Sequence, residues 1–296
     1  MSVSAVRFVE PASVEQACDL LAADPSGSKV ISGGTAVVLM MRQGLIAPDS
    51  LISVSRIPTL RGLVDRGDRI VIGAATSLAE VAASAVVRER APSLANACAL
   101  VGNQRVRNVA TLGGNLAEAD YASDPPAALA SLGARCQVVG PNGNRVVPVT
   151  ELITGFYETV LGSDELISQI EVPLPVGHRE AVYMKFRTRS SEDRACVGVA
   201  ARADFVEGRL ADLDVVVAAV AATLQRRPDI TSPMVGRVLD EDIATHVADR
   251  YAEAIHPLDD ARGSSAYRQK MIRVFVRRAL MTLADRSRQA RGGDRA

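Results

Sequence analysis

Two glycine pairs carry the residues of this sequence that are best suited to hold a ligand. The first pair lies in "ISGGTA", between an apolar strand-like run and an apolar helix-like run. Glycine permits positive φ angles and lets a ligand approach the backbone without a Cβ in the way, and a following helix adds free N–H groups. The pattern suits a pyrophosphate, and it is equally typical of a tight strand–helix turn packed through glycine. Its candidate binding residues are Ser32, Gly33, Gly34, Thr35 and Ala36.

The first pair does not complete either of the common nucleotide fingerprints. No third glycine follows Gly34 before Gly44, so the G-x-G-x-x-G spacing is missing. No Gly-Lys-Ser/Thr follows either, so this is not a P-loop. The sequence therefore disfavours a standard NAD-type Rossmann site and an ATPase.

The second pair lies in "TLGGNLAEADYASDPPA", about eighty residues further along the chain. It combines a hydroxyl, two unshielded backbone approaches and a side-chain amide, which are groups that bind phosphate and sugar oxygens. Its candidate residues are Thr111, Leu112, Gly113, Gly114 and Asn115.

Asp124 follows the second pair and has two competing interpretations. With Pro125 behind it, it is typical of an N-cap that opens the helix "PAALASLGA". An acidic residue near a nucleotide site also accepts hydrogen bonds from ribose or ribityl hydroxyls. Both roles use the same carboxylate oxygens, and the sequence leaves both open.

The first 58 residues alternate strand and helix signals and predict a compact βαβαβ unit. Ser13 precedes a helix whose apolar residues share one face, and Gly44 is typical of the residue that ends the second helix. The strands are predicted in "VRFVEP", "SKVISGG" and "DSLISVSRI".

Residues 59–175 predict a second unit that contains the second glycine pair. It begins with a hairpin that turns at Gly67-Asp68 and includes another hairpin around "PNGN". Thr76 and Ser77 are candidate caps for a helix over "LAEVAASAVVRER", and "PSLANACALVGNQRVRNVA" predicts the next helix. "ELISQIEVPLP" predicts the closing strand.

Residues 176–288 predict an α+β unit behind a Pro/Gly-rich junction at 175–181. Three antiparallel strands are predicted in "VYMKFRTR", "ACVGVAARADF" and "DLDVVVAAVAAT", followed by two long helices. Helical spacing in the last helix predicts core packing for Tyr267, Met271, Val274 and Phe275. The end of the chain, 289–296, is expected to be disordered.

Composition narrows the functional classes. Lys+Arg and Asp+Glu both number 34, so there is no basic excess for a nucleic acid or a membrane surface. No apolar run approaches the roughly 18 residues of a membrane-spanning helix. The N-terminus has no basic stretch followed by an apolar one, which indicates no signal peptide. A cytoplasmic location is expected.

The cysteines and histidines are too scattered to predict a metal site. Cys18, Cys98, Cys136 and Cys196 form no C-x-x-C, so the chain offers no iron–sulfur or zinc cradle, and four reduced, mostly buried thiols are expected. No two histidines have helical metal-ligand spacing, which favours surface or loop positions. They are His178, His246 and His256.

Several blocks, in this order, closely resemble the FAD-binding subunit of the molybdenum hydroxylases, the relatives of xanthine dehydrogenase and carbon monoxide dehydrogenase. They are "GGT" after the strand of the first unit, "RVRNVATLGGNLAEADYASDPPAALASLGA", "ELISQIEVPLP" and "VYMKFRTRSSEDRACVGVAA". The resemblance covers essentially the whole chain, and the second block is the most specific. Relatives often have Ala where Ser32 stands, and several carry another residue at Thr35.

The resemblance implies a fold and a set of FAD-binding residues. The fold is an α+β one: the vanillyl-alcohol-oxidase type of FAD domain, with two α/β subdomains around FAD, and a C-terminal α+β domain. Both glycine loops would flank the FAD pyrophosphate. Asp124 would lie near the ribityl or ribose, Ile167 beside the adenine or flavin, and Lys185 at a basic position that meets the cofactor. Val101 stands where some relatives place an aromatic next to the flavin.

The resemblance also implies the function of an electron-transfer subunit, without an acid/base catalyst on this chain. FAD would accept electrons from [2Fe–2S] clusters of a small partner subunit, while a large molybdopterin subunit hydroxylates the substrate, in a dimer of heterotrimers. A cation at Lys185 would stabilise the reduced, anionic flavin. Two alternatives stay open: a self-sufficient flavin-dependent oxidoreductase and a non-redox nucleotide-binding module.

Overall fold

The computed structural model describes residues 6–175 and 177–293. Residues 1–5 of the first predicted unit, Val176 of the predicted junction and 294–296 of the predicted tail lie outside the described residues.

Strands and helices alternate along the described chain. The strands are β1 Arg7–Val9, β2 Ser28–Ile31, β3 Ser50–Ser53, β4 Leu63–Asp65, β5 Arg69–Gly73, β6 Arg135–Gly140, β7 Gly143–Pro148, β8 Ile153–Gly155, β9 Glu158–Thr159, β10 Leu166–Pro173, β11 His178–Phe186, β12 Val197–Val206, β13 Arg209–Ala218 and β14 Gln225–Arg226. The helices are α1 Val14–Ala23, α2 Val37–Arg42, α3 Leu78–Ala83, α4 Ala85–Arg90, α5 Pro92–Ala99, α6 Gln104–Arg107, α7 Leu112–Glu118, α8 Pro125–Ser131, α9 Val149–Leu152, α10 Pro228–Thr231, α11 Glu241–Ala254 and α12 Ser265–Gly293, with 3₁₀ turns at Pro58–Leu60 and Ser232–Met234.

The first sheet is parallel, with strand order β1-β3-β2, and confirms the predicted βαβαβ pattern. Helix α1 begins after Ser13, whose hydroxyl oxygen accepts from the Gln16 N–H, and it buries Val14, Ala17, Cys18 and Leu21. Burial of this apolar stripe supplies the main stabilisation that a short helix lacks in isolation. The sheet therefore fixes the end of β2, where the first glycine pair begins.

The second sheet is antiparallel, with strand order β4-β5-β10-β6-β7. Both predicted hairpins are present, and Gly67 and Gly143 adopt φ angles of +86° and +111° in their turns. Side chains of β5, β6 and β10 pack on α3, α5 and α8 in one apolar core. This core carries the second glycine pair on its surface.

Two helices of this unit are shorter than the sequence predicts. The run "LAEVAASAVVRER" divides at Ser84, whose hydroxyl oxygen accepts from the Val87 N–H and starts α4. The next run ends at Ala99, and Asn103 then caps the short helix α6 by accepting from the Val106 N–H. Serine and asparagine compete with the helical hydrogen-bond ladder in this way, which the apolar spacing does not reveal.

The C-terminal sheet is antiparallel, with order β11-β12-β13-β14. Alternate residues of its strands face opposite sides. Tyr183, Ala200 and Val216 join the core with α5 and α8, whereas Val199 and Val215 join the core with α11 and α12. The sheet is therefore buried on both faces, and one face packs directly on the unit that carries the second glycine pair.

Helix α12 corrects two predictions. Its fully buried residues include Arg268, Ile272 and Val276, displaced from the predicted stripe, and Tyr267 is 42% exposed. The predicted stripe flanks the core because sequence spacing alone does not fix which helical face meets the sheet. The helix also continues through Gly293, so residues 289–293 are helical where disorder was expected. Gln289, Ala290 and Arg291 are good helix formers, which favours this continuation.

Candidate cofactor site

The first glycine loop, Ser32–Ala36, leaves hydrogen-bonding groups without protein partners. Gly34 adopts a φ angle of +71°, which turns the chain from β2 towards α2. Among the described residues, no group accepts from the backbone N–H of Gly33, Gly34 or Thr35. The Ser32 Oγ is buried and has no hydrogen-bond partner. Because buried polar groups are normally paired, this loop has the unsatisfied donors that an anionic ligand would use.

Thr35 does not cap the helix behind it. The N-terminal flanking residue of α2 is Ala36, and no side chain makes a capping hydrogen bond there. Thr35 is exposed, and no protein group binds its hydroxyl among the described residues. The alternative of a purely helix-capping threonine is therefore excluded by the geometry.

The second glycine loop, Thr111–Asn115, is internally satisfied. The Gly114 N–H donates to Thr111 Oγ1 at 3.2 Å, which caps α7, and the Asn115 N–H donates to the Thr111 carbonyl at 2.9 Å. The Leu112 and Gly113 N–H groups donate to the carbonyls of Thr76 and Ala74, at 3.0 and 2.9 Å. The backbone donors of this loop thus hold its own shape.

The two glycines of the second loop have different surroundings. A Cβ on Gly113 would lie 2.5 Å from the Cβ of Ala74, so this glycine is needed for packing. Gly114 is exposed, and its Cβ would meet only Thr111 Oγ1, at 2.8 Å. Gly114 therefore offers the bare backbone surface that a bulky anionic group can approach.

The first loop touches the backbone of the segment that leads into the second loop. A Cβ on Gly33 would lie 1.9 Å from the carbonyl oxygen of Val109 and 3.0 Å from the Cα of Ala110. Ala110 immediately precedes Thr111, the first residue of the second loop. Residues about eighty positions apart therefore form one continuous surface, with unpaired donors on one side and bare glycine backbone on the other.

Asp124 is not a helix cap, which corrects one of its two interpretations. Its backbone is helical and its side chain makes no capping bond to α8. Instead the carboxylate, 3% exposed, accepts from the Tyr183 hydroxyl at 2.5 Å and from the Lys185 ammonium at 2.8 Å. The carboxylate points to the C-terminal sheet, because the two donors there stabilise its buried charge. The N–H groups at the start of a helix alone would not stabilise a buried charge to the same extent.

Lys185 is buried, which excludes a solvated surface lysine. Its side chain is 2% exposed and also donates to the Leu100 carbonyl, at 2.9 Å. Burial raises the pKa of the Asp124 carboxyl, whereas the Lys185 and Tyr183 donors act in the opposite direction. Burial and the Asp124 carboxylate raise the pKa of Tyr183 well above its ordinary value, so its hydroxyl stays protonated and is the donor.

Ile167 and Val101 lie in two different parts of the site. Ile167 is buried in β10. The carbonyl of the next residue, Ser168, accepts from the Ala74 N–H, and the Ala74 carbonyl accepts from the Gly113 N–H. Val101 is half-buried beside Leu100, near Lys185 and the rim of a cleft of about 310 Å³. The strand of Ile167 is thus connected to the second glycine loop, and Val101 follows the residue that binds Lys185.

Ser123 joins these two parts, and the sequence did not single it out. Its hydroxyl donates to Asn115 Oδ1 of the second loop at 2.9 Å, and its neighbour Asp124 binds the C-terminal sheet. Tyr183 was missed as well, although it stands two positions before Lys185 on one strand and therefore shares its face. Val109 carried no signal, since its role depends on a contact with the distant Gly33.

The cysteines and histidines of the folded chain differ in their exposure to solvent. All four cysteines are free and buried, and the three histidines are exposed, as expected. Within residues 6–175 and 177–293, no group of three or more His, Cys, Asp or Glu side chains is placed to hold a metal ion. No helix in the described part of the chain is both long and apolar enough to cross a membrane.

Known proteins resemble this chain along its whole length. Residues 4–175 match the family described as FAD binding domain in molybdopterin dehydrogenase, and residues 181–283 match the CO dehydrogenase flavoprotein C-terminal domain. The nicotine 6-hydroxylase medium subunit of Paenarthrobacter nicotinovorans is 30% identical over 97% of this chain and 100% of its own length. The carbon monoxide dehydrogenase medium chain of Hydrogenophaga pseudoflava is 32% identical over 93% of this chain and 95% of its own.

Solved structures show the same likeness. A chain of carbon monoxide dehydrogenase from Hydrogenophaga pseudoflava superposes with a TM-score of 0.91 at 31% identity, covering 97% of this chain and 99% of that one. A chain of quinoline 2-oxidoreductase from Pseudomonas putida 86 gives a TM-score of 0.89 at 28% identity, with the same coverage. The predicted fold, an FAD-binding part followed by a C-terminal α+β domain, is confirmed. This chain belongs to the FAD-binding flavoprotein subunits of the molybdopterin dehydrogenases, the family of carbon monoxide and xanthine dehydrogenases.

Proposed function

We propose that this chain carries electrons within a molybdenum hydroxylase, from [2Fe–2S] clusters of a small subunit to a terminal acceptor. FAD supplies the redox chemistry when it is bound, since an isoalloxazine exchanges both single electrons and pairs. A large molybdopterin subunit would complete the enzyme, in a dimer of heterotrimers within the cytoplasm. The relatives support this division of labour because they are named as medium chains and medium subunits.

The contact of Gly33 with the chain that enters the second glycine loop is the observation that carries the proposal. A Cβ on Gly33 would collide with the Val109 carbonyl, two residues before Thr111, which brings the two loops next to each other. That surface has unpaired N–H donors, an unpartnered hydroxyl at Ser32 and bare backbone at Gly114. These features fit the charge and bulk of the FAD pyrophosphate.

We assign the loops separate tasks in holding the cofactor. The N–H groups of Gly33, Gly34 and Thr35 and the Ser32 hydroxyl would donate to the phosphate oxygens, since charged acceptors form stronger hydrogen bonds than neutral ones. Gly114 would admit the pyrophosphate, and Asn115 would bind beside it. The proposed contact set remains Ser32–Ala36, Val101, Thr111–Asn115, Asp124, Ile167 and Lys185.

The Asp124–Lys185 pair changes how charge would act on the flavin. An unpaired lysine would favour the reduced, anionic flavin. Here the ammonium and the carboxylate lie 2.8 Å apart, so their combined field at a distance is much weaker than that of one cation. We therefore propose that the pair orients the ribityl side of the site and contributes little to the reduction potential.

We propose the same three-part division as the sequence suggests: 1–58 and 59–175 as the FAD subdomains and 176–288 as the C-terminal domain. The three larger sheets lie within these ranges. The C-terminal domain would then contact FAD only through Lys185.

The visible spectrum of the native complex tests the proposed function. The chain is purified with whatever accompanies it, and flavin, iron–sulfur absorbance and molybdenum are measured. All three together support the electron-transfer subunit, and reduction of the flavin through the partner, not by substrate added to the isolated chain, completes the test. Flavin that an added substrate reduces in the isolated chain supports the self-sufficient oxidoreductase. A colourless chain that binds ADP but not FAD supports the non-redox module and contradicts the proposal.

A further inference from the structure

The segment between α7 and α8, Ala119–Asp124, is held by the C-terminal domain at two separate points. It begins at Ala119, whose φ angle of +51° ends α7, and it leads directly into α8. Within the segment, the Ala122 and Ser123 N–H groups donate to the Asp120 side chain and carbonyl, which forms one tight turn. This turn sets the local shape, and the contacts with the C-terminal domain set where the segment lies.

The first point is the buried cluster at Asp124. Tyr183 and Lys185 reach it from β11 and occupy one carboxylate oxygen each. Gly198 on the neighbouring strand makes room, because a Cβ there would lie 2.7 Å from the Tyr183 hydroxyl. The Asn96 side chain donates to the Tyr183 carbonyl at 3.0 Å and fixes the strand next to α5.

The second point is the cluster at Tyr121. Its hydroxyl donates to Asp260 Oδ2 at 2.9 Å and accepts from Arg262, whose guanidinium also stacks over the ring. Its carbonyl accepts from the Ala219 N–H at 2.9 Å. Asp260 is held in turn by the fully buried Arg268. The tyrosine is thus fastened through both its side chain and its backbone.

The held segment reaches back to the second glycine loop. Ser123 lies between the two points and donates to Asn115 Oδ1 at 2.9 Å. A shift of the segment would therefore move the hydrogen-bond partner that orients the Asn115 amide. No side chain of the first loop has a comparable connection to the C-terminal domain among the described residues.

We propose that Tyr183 and Tyr121 are positioning residues, through which the C-terminal domain fixes the Ala119–Asp124 segment and so preorganises the second glycine loop for FAD. The inference rests on the proposed function, because it assumes that this loop binds FAD. It gives the C-terminal domain a task in cofactor binding that extends beyond Lys185. Neither tyrosine needs to touch the cofactor.

Three tyrosine-to-phenylalanine variants of the full chain, stripped of flavin, test this inference. Tyr183→Phe and Tyr121→Phe each remove one hydroxyl that holds the segment. Tyr251→Phe is the control, matched in burial to Tyr183, since Tyr251 lies in the other core of the C-terminal sheet and binds the Val215 carbonyl and the Arg227 N–H. All three are expected to lower the thermal midpoint. Only the first two should raise the FAD dissociation constant, by about tenfold each, as expected for a lost hydrogen bond that organises a site.

Hydrogen exchange separates failure of this inference from failure of the proposed function. In the flavin-free chain, Tyr183→Phe and Tyr121→Phe should speed amide exchange across 112–124, and the control should not. Equal dissociation constants for all three variants, or unchanged exchange at 112–124, would overturn the positioning role. If the unaltered chain fails to bind FAD, the proposed function is wrong, and the exchange data alone then decide whether the C-terminal domain holds the segment.

Discussion

The two glycine loops contain the same dipeptide but differ in whether their backbone N–H groups have acceptors in the protein. In the first loop, the backbone donors of Gly33 and Gly34 are unpaired and the Ser32 hydroxyl is buried without a partner. In the second, a threonine cap and carbonyls of the preceding segment satisfy the N–H groups, and Gly114 presents bare backbone. The first loop can donate hydrogen bonds to a ligand. The second loop has its donors paired and can offer a ligand a rigid surface without side chains.

A glycine pair does not define a phosphate site by itself. In each pair one glycine is required for packing: Gly33 packs against Val109, and Gly113 packs against Ala74. The other glycine of each pair differs: Gly34 adopts a positive φ angle, and Gly114 is exposed. Substitutions at the packing glycines should therefore affect the fold most, whereas a substitution at Gly114 should affect FAD binding more than the fold.

Gly33→Val should have the largest effect, because its side chain would collide with the Val109 backbone and force the loops apart. Overpacking of this kind typically costs about 1–3 kcal/mol, and backbone cannot move aside as a side chain can. We expect a lower thermal midpoint and no retained flavin, measured by calorimetry and visible absorbance. Gly177→Ala is the control, since a Cβ there meets nothing within 4 Å.

Gly114→Val should remove FAD while the chain stays folded. The new side chain would occupy the exposed surface and press only on Thr111 Oγ1. We expect the FAD dissociation constant to rise about 100-fold, equivalent to about 2.8 kcal/mol, with a smaller rise for Gly114→Ala. Full flavin occupancy in Gly114→Val would show that the second loop does not face the pyrophosphate.

Ser32→Ala tests the donors of the first loop. If the hydroxyl donates to a phosphate oxygen, its loss should raise the FAD dissociation constant about tenfold, since hydrogen bonds to charged groups contribute about 1.5–3 kcal/mol. The flavin-free chain should be no less stable, because the buried hydroxyl has no partner there. Ser93→Ala removes another buried, unpartnered hydroxyl and is the control, which should leave FAD affinity unchanged.

Thr111→Val tests the shape of the second loop. Loss of the cap should lower the free energy of unfolding by about 1 kcal/mol and affect FAD binding only modestly. Thr111→Ser keeps the accepting oxygen and should restore most of this stability. Denaturant unfolding of the flavin-free chain measures both variants, and a Thr111→Val chain as stable as the parent would contradict the assigned cap.

Acidification should weaken the support of the second loop before that of the first. Burial alone would raise the pKa of Asp260. Hydrogen bonds from Arg262, Tyr121 and Arg268 outweigh this effect and lower the pKa below its ordinary 3.8. A carboxyl of this kind contributes stability above its unfolded pKa and loses it as the pH falls further. Thermal midpoints below about pH 4 should fall more steeply in the parent than in Asp260→Asn. Parallel pH profiles would show that this cluster adds no stability.

The sequence predicts the local structure around the loops well. Period-two alternation and turn residues locate the hairpins at Gly67 and Gly143, and the strands β11 to β13, because these signals depend on neighbouring residues. The single helix predicted across Ser84 was wrong, because a serine cap interrupts the apolar spacing. On α12 the predicted Met271 and Phe275 do pack against the core, but the fully buried residues are the neighbouring Ile272 and Val276.

The roles of Asp124 and Gly33 could not be settled from the sequence because they depend on distant contacts. Asp124 meets Tyr183 and Lys185 from 59 and 61 residues away, so local sequence left the cap and the cofactor interpretation both open. The role of Gly33 depends on Val109 in the same way. Family resemblance could name Asp124 and Lys185, but only the folded chain shows that they bind each other.

Amide hydrogen exchange with and without FAD tests the division between the loops most directly. We expect FAD to slow exchange at Gly33, Gly34 and Thr35 by about tenfold or more, because their N–H groups gain acceptors. Gly113, Gly114 and Asn115 should already be protected without FAD and change little. Protection that appears only at the second loop, or at neither, would contradict the assignment of the first loop as the donor for the pyrophosphate.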